Sequence, residues 1–139
     1  MLQKLNTRRG GFTLVEIMIV VAIIALLAAI AVPNFLRARK RSQATRVLEE
    51  LRMIDSAIDQ YAIEANKSTG QEVTWAQVKA YIKTGSKLYN STGTYGSDSF
   101  GNNFSAFKVD SLPLVPKATN DALSDVATAE FWSPYAIGS

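Results

Sequence analysis

Residues 12–33 read FTLVEIMIVVAIIALLAAIAVP. Between Phe12 and Val32 only Thr13 and Glu16 are polar. At a rise of 1.5 Å per residue the run spans roughly 30 Å as a helix, about the thickness of one hydrocarbon core. Buried helices of water-soluble domains are rarely apolar on every face over such a length, so the run is read as a membrane span. A secretory signal is the competing reading, because a short basic region precedes the run and Ala28, Ala29 and Ala31 lie near its end. Secretory cores extend over about 7 to 15 residues. This one is longer, keeps a carboxylate at Glu16, and passes through Pro33 into a second helical pattern.

Downstream of Pro33, the residues Ala44, Val47, Leu51, Ile54, Ile58, Tyr61 and Ala65 recur at alternating steps of three and four, which lines them along one helical stripe. Glu49, Glu50, Asp55, Asp59 and Glu64 point elsewhere. One long helix is therefore predicted from Phe12 to Ala65, its first half in lipid and its second half amphipathic. Pro33 removes a backbone donor and crowds the preceding turn, so a kink is expected there. The polar stretch Asn66 to Gly70 ends the helix, with Gly70 able to take a left-handed conformation. Thr74 is placed to cap a short second helix whose apolar face is Trp75, Val78, Tyr81 and Ile82, stopped at Gly85.

The remainder reads as a small head. Asn90 to Asn103 is rich in Ser, Gly, Asn and Thr and reads as turns flanked by strands. Phe104 to Val109 alternates, and Leu112 to Val115 is a short apolar run between Pro113 and Pro116. Asp121 to Glu130 is expected as a last helix. The aromatic residues Trp75, Tyr81, Tyr95, Phe100, Phe104, Phe107, Trp132 and Tyr135 are assigned to the core of that head, which is too small to build one without them.

At 139 residues and 47% hydrophobic content, the chain has room for one membrane segment and one modest head. Cysteine is absent, which rules out disulfides and thiolate metal sites. The net charge of +3 is accounted for by Lys4, Arg8 and Arg9, ahead of the apolar run. Beyond it, Arg37, Arg39, Lys40, Arg41, Arg46 and Arg52 face only Glu49 and Glu50, and after Arg52 acids outnumber bases. With both flanks of the apolar run positive, the positive-inside rule gives no orientation.

The junction Arg8-Arg9-Gly10-Gly11-Phe12-Thr13-Leu14-Val15-Glu16, followed by the apolar run and Pro33, resembles the N-terminal signature of type IV prepilins and type II secretion pseudopilins. The resemblance covers residues 8 to about 36. It implies cleavage after Gly11 by a prepilin peptidase on the cytoplasmic side of the inner membrane, N-methylation of the new Phe12 amine by the same enzyme, and use of Glu16 in assembly. In that reading the Glu16 carboxylate neutralises the Phe12 ammonium of a neighbouring copy. It further implies residues 1–11 in the cytoplasm, the head outside, an inner-membrane assembly platform as partner, and a helical homo-oligomeric filament in the periplasm or at the cell surface.

The segment Asp98 to Phe104 resembles the turn that opens the C-terminal hairpin of major pseudopilins, but the Asp- and Gly-rich calcium loop of those proteins has no counterpart, so no metal is predicted. The missing cysteine pair of many type IV pilins tilts the resemblance toward a pseudopilin. A major or minor pilin of a surface pilus, and a signal-anchored protein with an unrelated head, are the alternatives.

The expected organisation is a leader at 1–11, a transmembrane and assembly helix at 12–36, an amphipathic helix at 37–66 and a head at 67–139. The fold class is α+β and pilin-like, with a short antiparallel sheet of two or three strands. No catalytic residues and no cofactor are expected. There is no His and no Cys, no nucleophile-elbow serine, and no phosphate-cradling glycine loop, since Gly93, Gly96 and Gly101 fall among turns. Membrane lipid is the expected environment before assembly. The bases at 37–41 are assigned to lipid headgroups or acids of neighbouring subunits, and nucleic acid is not an expected partner.

Overall fold

The computed structural model describes residues 10–139. It divides into two compact units between Leu36 and Arg37. Helix α1 (Leu14–Glu64) contributes to both and is helical through Pro33.

In the first unit, α1 begins two residues later than predicted. Thr13 and Glu16 form a reciprocal cap: the Glu16 N–H donates to Thr13 Oγ1 at 3.2 Å, and the Thr13 N–H donates to Glu16 Oε2 at 3.1 Å. This is the capping box that Ser/Thr-x-x-Glu encodes, and it fixes the first turn. From there to Leu36 the helix is exposed on every face, with Leu26 65% and Ile30 61% exposed. A helix whose whole apolar surface is uncovered is suited to lipid or to other apolar helices, and α1 is long and apolar enough to cross a membrane.

In the second unit the stripe is buried as the period demands. Ala44, Val47, Leu51, Ile54 and Ile58 join Leu48, Ala57 and Ala62 in the core. Tyr61 is half-buried and Ala65 lies outside the core, exposed. Asn66 ends the helix, at φ 50°, with the Lys67 N–H returning to the Ala62 carbonyl at 2.9 Å. Asn tolerates the left-handed region better than other side chains, and Gly70 also takes it, at φ 81°, as expected.

The sheet has two antiparallel strands, β1 (Glu72–Val73) and β2 (Phe107–Lys108), with Val73 opposite Phe107 and Glu72 opposite Lys108. The partner of β2 therefore precedes α2 rather than flanking the turn region. Val73 and Phe107 point inward against α1's stripe, and Glu72 and Lys108 face out. Leu112 to Val115 forms no strand; Val115 alone makes a parallel bridge to Ile137.

Helix α2 (Trp75–Lys79) starts where Thr74 was placed, the Thr74 N–H donating to Gln77 Oε1 at 2.9 Å. The single helix expected over Asp121 to Glu130 is instead two, α3 (Lys117–Leu123) and α4 (Ala129–Trp132). Helix α3 starts early because Pro116 is its N-cap, at φ -57° and ψ 129°, with its carbonyl accepting from the Thr119 and Asn120 N–H groups, both at 3.0 Å. The intervening turn buries Leu123, Ala127 and Trp132 together while Asp121, Asp125 and Glu130 stay exposed. Trp132 is fully buried and its indole N–H is satisfied by Asn120 Oδ1 at 3.0 Å. Of the aromatic residues assigned to the core, Trp75, Phe104, Phe107, Trp132 and Tyr135 are buried, Tyr81 and Tyr95 pack at its edge, and Phe100 is exposed.

Candidate processing and assembly site

The Gly11–Phe12 junction lies in the non-helical residues ahead of α1. Gly11 is exposed and a Cβ added there would meet nothing within 4 Å. Phe12 is 84% exposed. A protease that binds its substrate as an extended strand needs such an open backbone, and helix formation would deny it. The bases Lys4, Arg8 and Arg9 lie outside the described residues.

Glu16 sits in the first turn of α1, exposed, with Oε2 held by the Thr13 N–H. That donor is one residue from the nitrogen that cleavage after Gly11 would convert to an ammonium. The cap therefore aims the carboxylate back along the chain toward the junction rather than outward along the helix. The sequence reading treated Thr13 only as an interruption of the apolar run. The signal that would have found it is the Thr-x-x-Glu spacing before an apolar stretch.

A second polar cluster holds the head together. Glu50, read as facing away from the stripe, is 6% exposed, and Asp98 is 5% exposed. The Ser99 N–H donates to Glu50 Oε2 at 3.0 Å and the Ser99 hydroxyl donates to Glu50 Oε1. The Lys87 ammonium donates to the Ser99 carbonyl at 2.9 Å. Asp98 Oδ1 accepts from the Phe100 and Asn102 N–H groups, both at 2.9 Å, and Oδ2 accepts from the Thr119 hydroxyl. These bonds fold residues 98–102 into a closed turn, bridged by Ser97 and Asn103, and strap it across α1. With its oxygens taken by N–H and O–H donors, Asp98 offers a cation a poor ligand. Among the described residues no group of three or more acidic, His or Cys side chains is placed to hold a metal ion.

Burial raises the Glu50 carboxyl above its ordinary range, the bonds from Ser99 pull against that rise, and the Asp98 charge adds to it. Asp55 is also raised, first by burial and then by Asp59.

Around the start of the second unit, Lys40 pairs with Asp125 at 2.9 Å, both side chains nearly half exposed. It is the one ion pair within 4 Å among the described residues. The Lys40 bond lowers the Asp125 carboxyl, and the Arg37 charge adds to this. Arg37, Arg39 and Arg41 are exposed.

A family model described as the prokaryotic N-terminal methylation motif matches residues 6–32, which places the chain among proteins bearing that motif. Its relatives are type IV pilins and type II secretion core proteins. The chain is 38% identical to the type IV major fimbrial protein FimA of Dichelobacter nodosus over 68% of this chain and 56% of that one. It is 45% identical to the type IV wide pilus major component PilA4 of Thermus thermophilus over 45% of this chain and 47% of that one. It is 30% identical to the type II secretion system core protein G of Pectobacterium carotovorum over 62% and 56%. The chain thus spans about half the length of the curated relatives it matches. No solved structure gives a significant match.

Proposed function

We propose that this chain is a non-enzymatic structural subunit of a type IV pilus-like filament, anchored by residues 12–36, trimmed after Gly11, N-methylated at Phe12 and polymerised from the inner membrane. The observation that carries the reading is an apolar helix exposed on every face, headed by an open Gly11–Phe12 junction and a Glu16 carboxylate aimed back toward it. A carboxylate near the hydrocarbon edge costs up to about 3 kcal/mol when unpartnered at mid-bilayer and less toward the interface. Cleavage creates an ammonium that offsets this cost in a neighbouring copy. Uncleaved chains lack that amine.

In this reading the prepilin peptidase, the assembly platform and further copies of the chain are the partners, the leader is 1–11, the head is the part that faces away from the cytoplasm, and Pro33 gives the helix a point of bending. The absence of cysteine favours a secretion-type pseudopilus. The 38% identity to a major fimbrial protein supports a surface pilus as the second reading.

The test is processing and yield in the native host. Gly11→Leu should leave full-length precursor in the membrane, whereas Glu16→Ala should be cleaved normally yet fail to assemble. Cleavage of the Gly11 variant, or normal filament yield from the Glu16 variant, would remove the corresponding role. Recovery of the chain in sheared appendages separates a surface pilus from a pseudopilus, which stays in the envelope.

A further inference from the structure

The bases that follow the apolar run are not absorbed by the filament reading above, although the present inference rests on its membrane anchor. At about 100° per residue, Arg37, Arg39, Lys40 and Arg41 stand at roughly 0°, 200°, 300° and 40° around α1, within about 6 Å along its axis. The four stand around the helix rather than along one stripe; the three arginines alone put Arg37 and Arg41 on one face and Arg39 about 160° away. The head pairs one member, Lys40, with Asp125, which also lines a shallow groove with Arg37 and Arg41. The other three, Arg37, Arg39 and Arg41, are exposed. The acids nearest in sequence do not quench them. Glu50 is buried and turned to Ser99, and Glu49 lies three residues from both Arg46 and Arg52, the spacing that pairs charges on a helix face.

We propose that Arg37, Arg39 and Arg41 are a binding collar for the phosphates of anionic phospholipids in the leaflet on the head side of the membrane. The collar starts at the residue after Leu36, where the exposed apolar helix ends, and so falls at headgroup depth when that helix spans the bilayer. Lipid phosphates surround a spanning helix on all sides, which suits bases on two opposite faces. A nucleic-acid duplex is a convex rod that touches a helix from one side, so it could not reach Arg37 and Arg41 together with Arg39. Arginine suits the task because its planar fork takes two phosphate oxygens at once and stays charged at any working pH. The Lys40–Asp125 pair makes the head a moderator of the collar, since Asp125 brings one negative charge into it.

The test uses the full chain reconstituted at low density in phosphatidylcholine vesicles, with spin-labelled phosphatidylglycerol or phosphatidylcholine reporting the lipid immobilised at the protein. The full chain should prefer phosphatidylglycerol, and R37Q/R39Q/R41Q should lower that preference by at least about fivefold, the worth of one base near an anionic surface. R37K/R39K/R41K should keep most of the preference, which distinguishes charge from damage to the fold, and D125N should raise it. An unchanged preference in the glutamine variant would overturn the collar. So would duplex DNA binding at about 0.15 M salt that the same variant abolishes. Loss of self-association in that variant with lipid preference intact would overturn it in favour of a second copy of the chain.

Discussion

Glu50 is the most informative place to perturb the head. Its carboxylate accepts both the N–H and the hydroxyl of Ser99, and so straps the 98–102 turn to α1 from a site that is 6% exposed. Glu50→Ala strips two bonds made to a charged group, each worth about 1.5–3 kcal/mol, and leaves the Ser99 donors without acceptors. Relief of the buried charge offsets part of this, leaving a net loss of about 2–4 kcal/mol. For a head of this size each kcal/mol moves the melting midpoint by roughly 4–8 °C, so a drop of at least about 8 °C is expected.

Glu50→Gln is different. Its amide oxygen can accept from the Ser99 N–H and its amine can donate to the Ser99 hydroxyl oxygen, so it should lie within about 1 kcal/mol of the parent at neutral pH. The two also differ in pH response. Because the folded-state carboxyl is raised above its ordinary 4.5, the folded protein binds more protons in that window. The stability Glu50 contributes is then complete below the unfolded value and lost as pH rises through the raised one. Asp55 is raised in the same sense. Asp125 is lowered, so its contribution is lost only below its ordinary 3.8. As pH falls from neutral toward 4.5 the parent should therefore gain stability, and Glu50→Gln should gain less. The assay is thermal unfolding of the full chain in detergent, followed by fluorescence of Trp75 and Trp132, which both lie in the head. If Glu50→Gln melts as early as Glu50→Ala at pH 7, or keeps the full acid-side gain, the assigned role of the Ser99 bonds or of the buried charge is wrong.

Gly96 holds φ 74° and a Cβ there would stand 2.7 Å from the Trp75 ring, so Gly96→Ala should cost about 2–4 kcal/mol, read as a lower denaturant midpoint. Asn66→Ala places a less tolerant side chain at φ 50° and should destabilise the head by about 1 kcal/mol, whereas Asn66→Gly should be neutral or stabilising in the same titration. Thr13→Val removes the hydroxyl that accepts from the Glu16 N–H and should cost about 1 kcal/mol at the helix start, seen as faster amide exchange at residues 14–17 in micelles with residues 44–62 unchanged.

Long periodic features were legible in the sequence, and features that depend on distant partners were not. The apolar span and the stripe from Ala44 to Ile58 follow from hydrophobic spacing alone, because burial of one helix face needs only a regular repeat. The N-terminal motif that contains Gly11, Phe12 and Glu16 was legible locally, and the methylation-motif family model matches residues 6–32. Glu50 was misplaced because its acceptors are satisfied by Ser99, 49 residues away, and nothing local announces a buried acid with such donors. Strand β1 was missed because two residues make no alternation, and Phe107 and Lys108 define it from the other side of the turn region. The last helix was drawn as one because Asp121, Asp125 and Glu130 suggest a solvated face, whereas burying Leu123, Ala127 and Trp132 together requires a break between them.

The helix exposed on all sides from Leu14 to Leu36 has a mechanical consequence. A cylinder whose surface is apolar in every direction has almost no preferred azimuth in lipid, and its rotation about its own axis is close to free. Between Phe12 and Pro33 only Thr13 and Glu16 break that symmetry, and both stand at the same end. Angular information in this rod is therefore concentrated in a single turn, and if copies dock through Glu16, as proposed, the torsional setting is acquired in the same event that fixes the height.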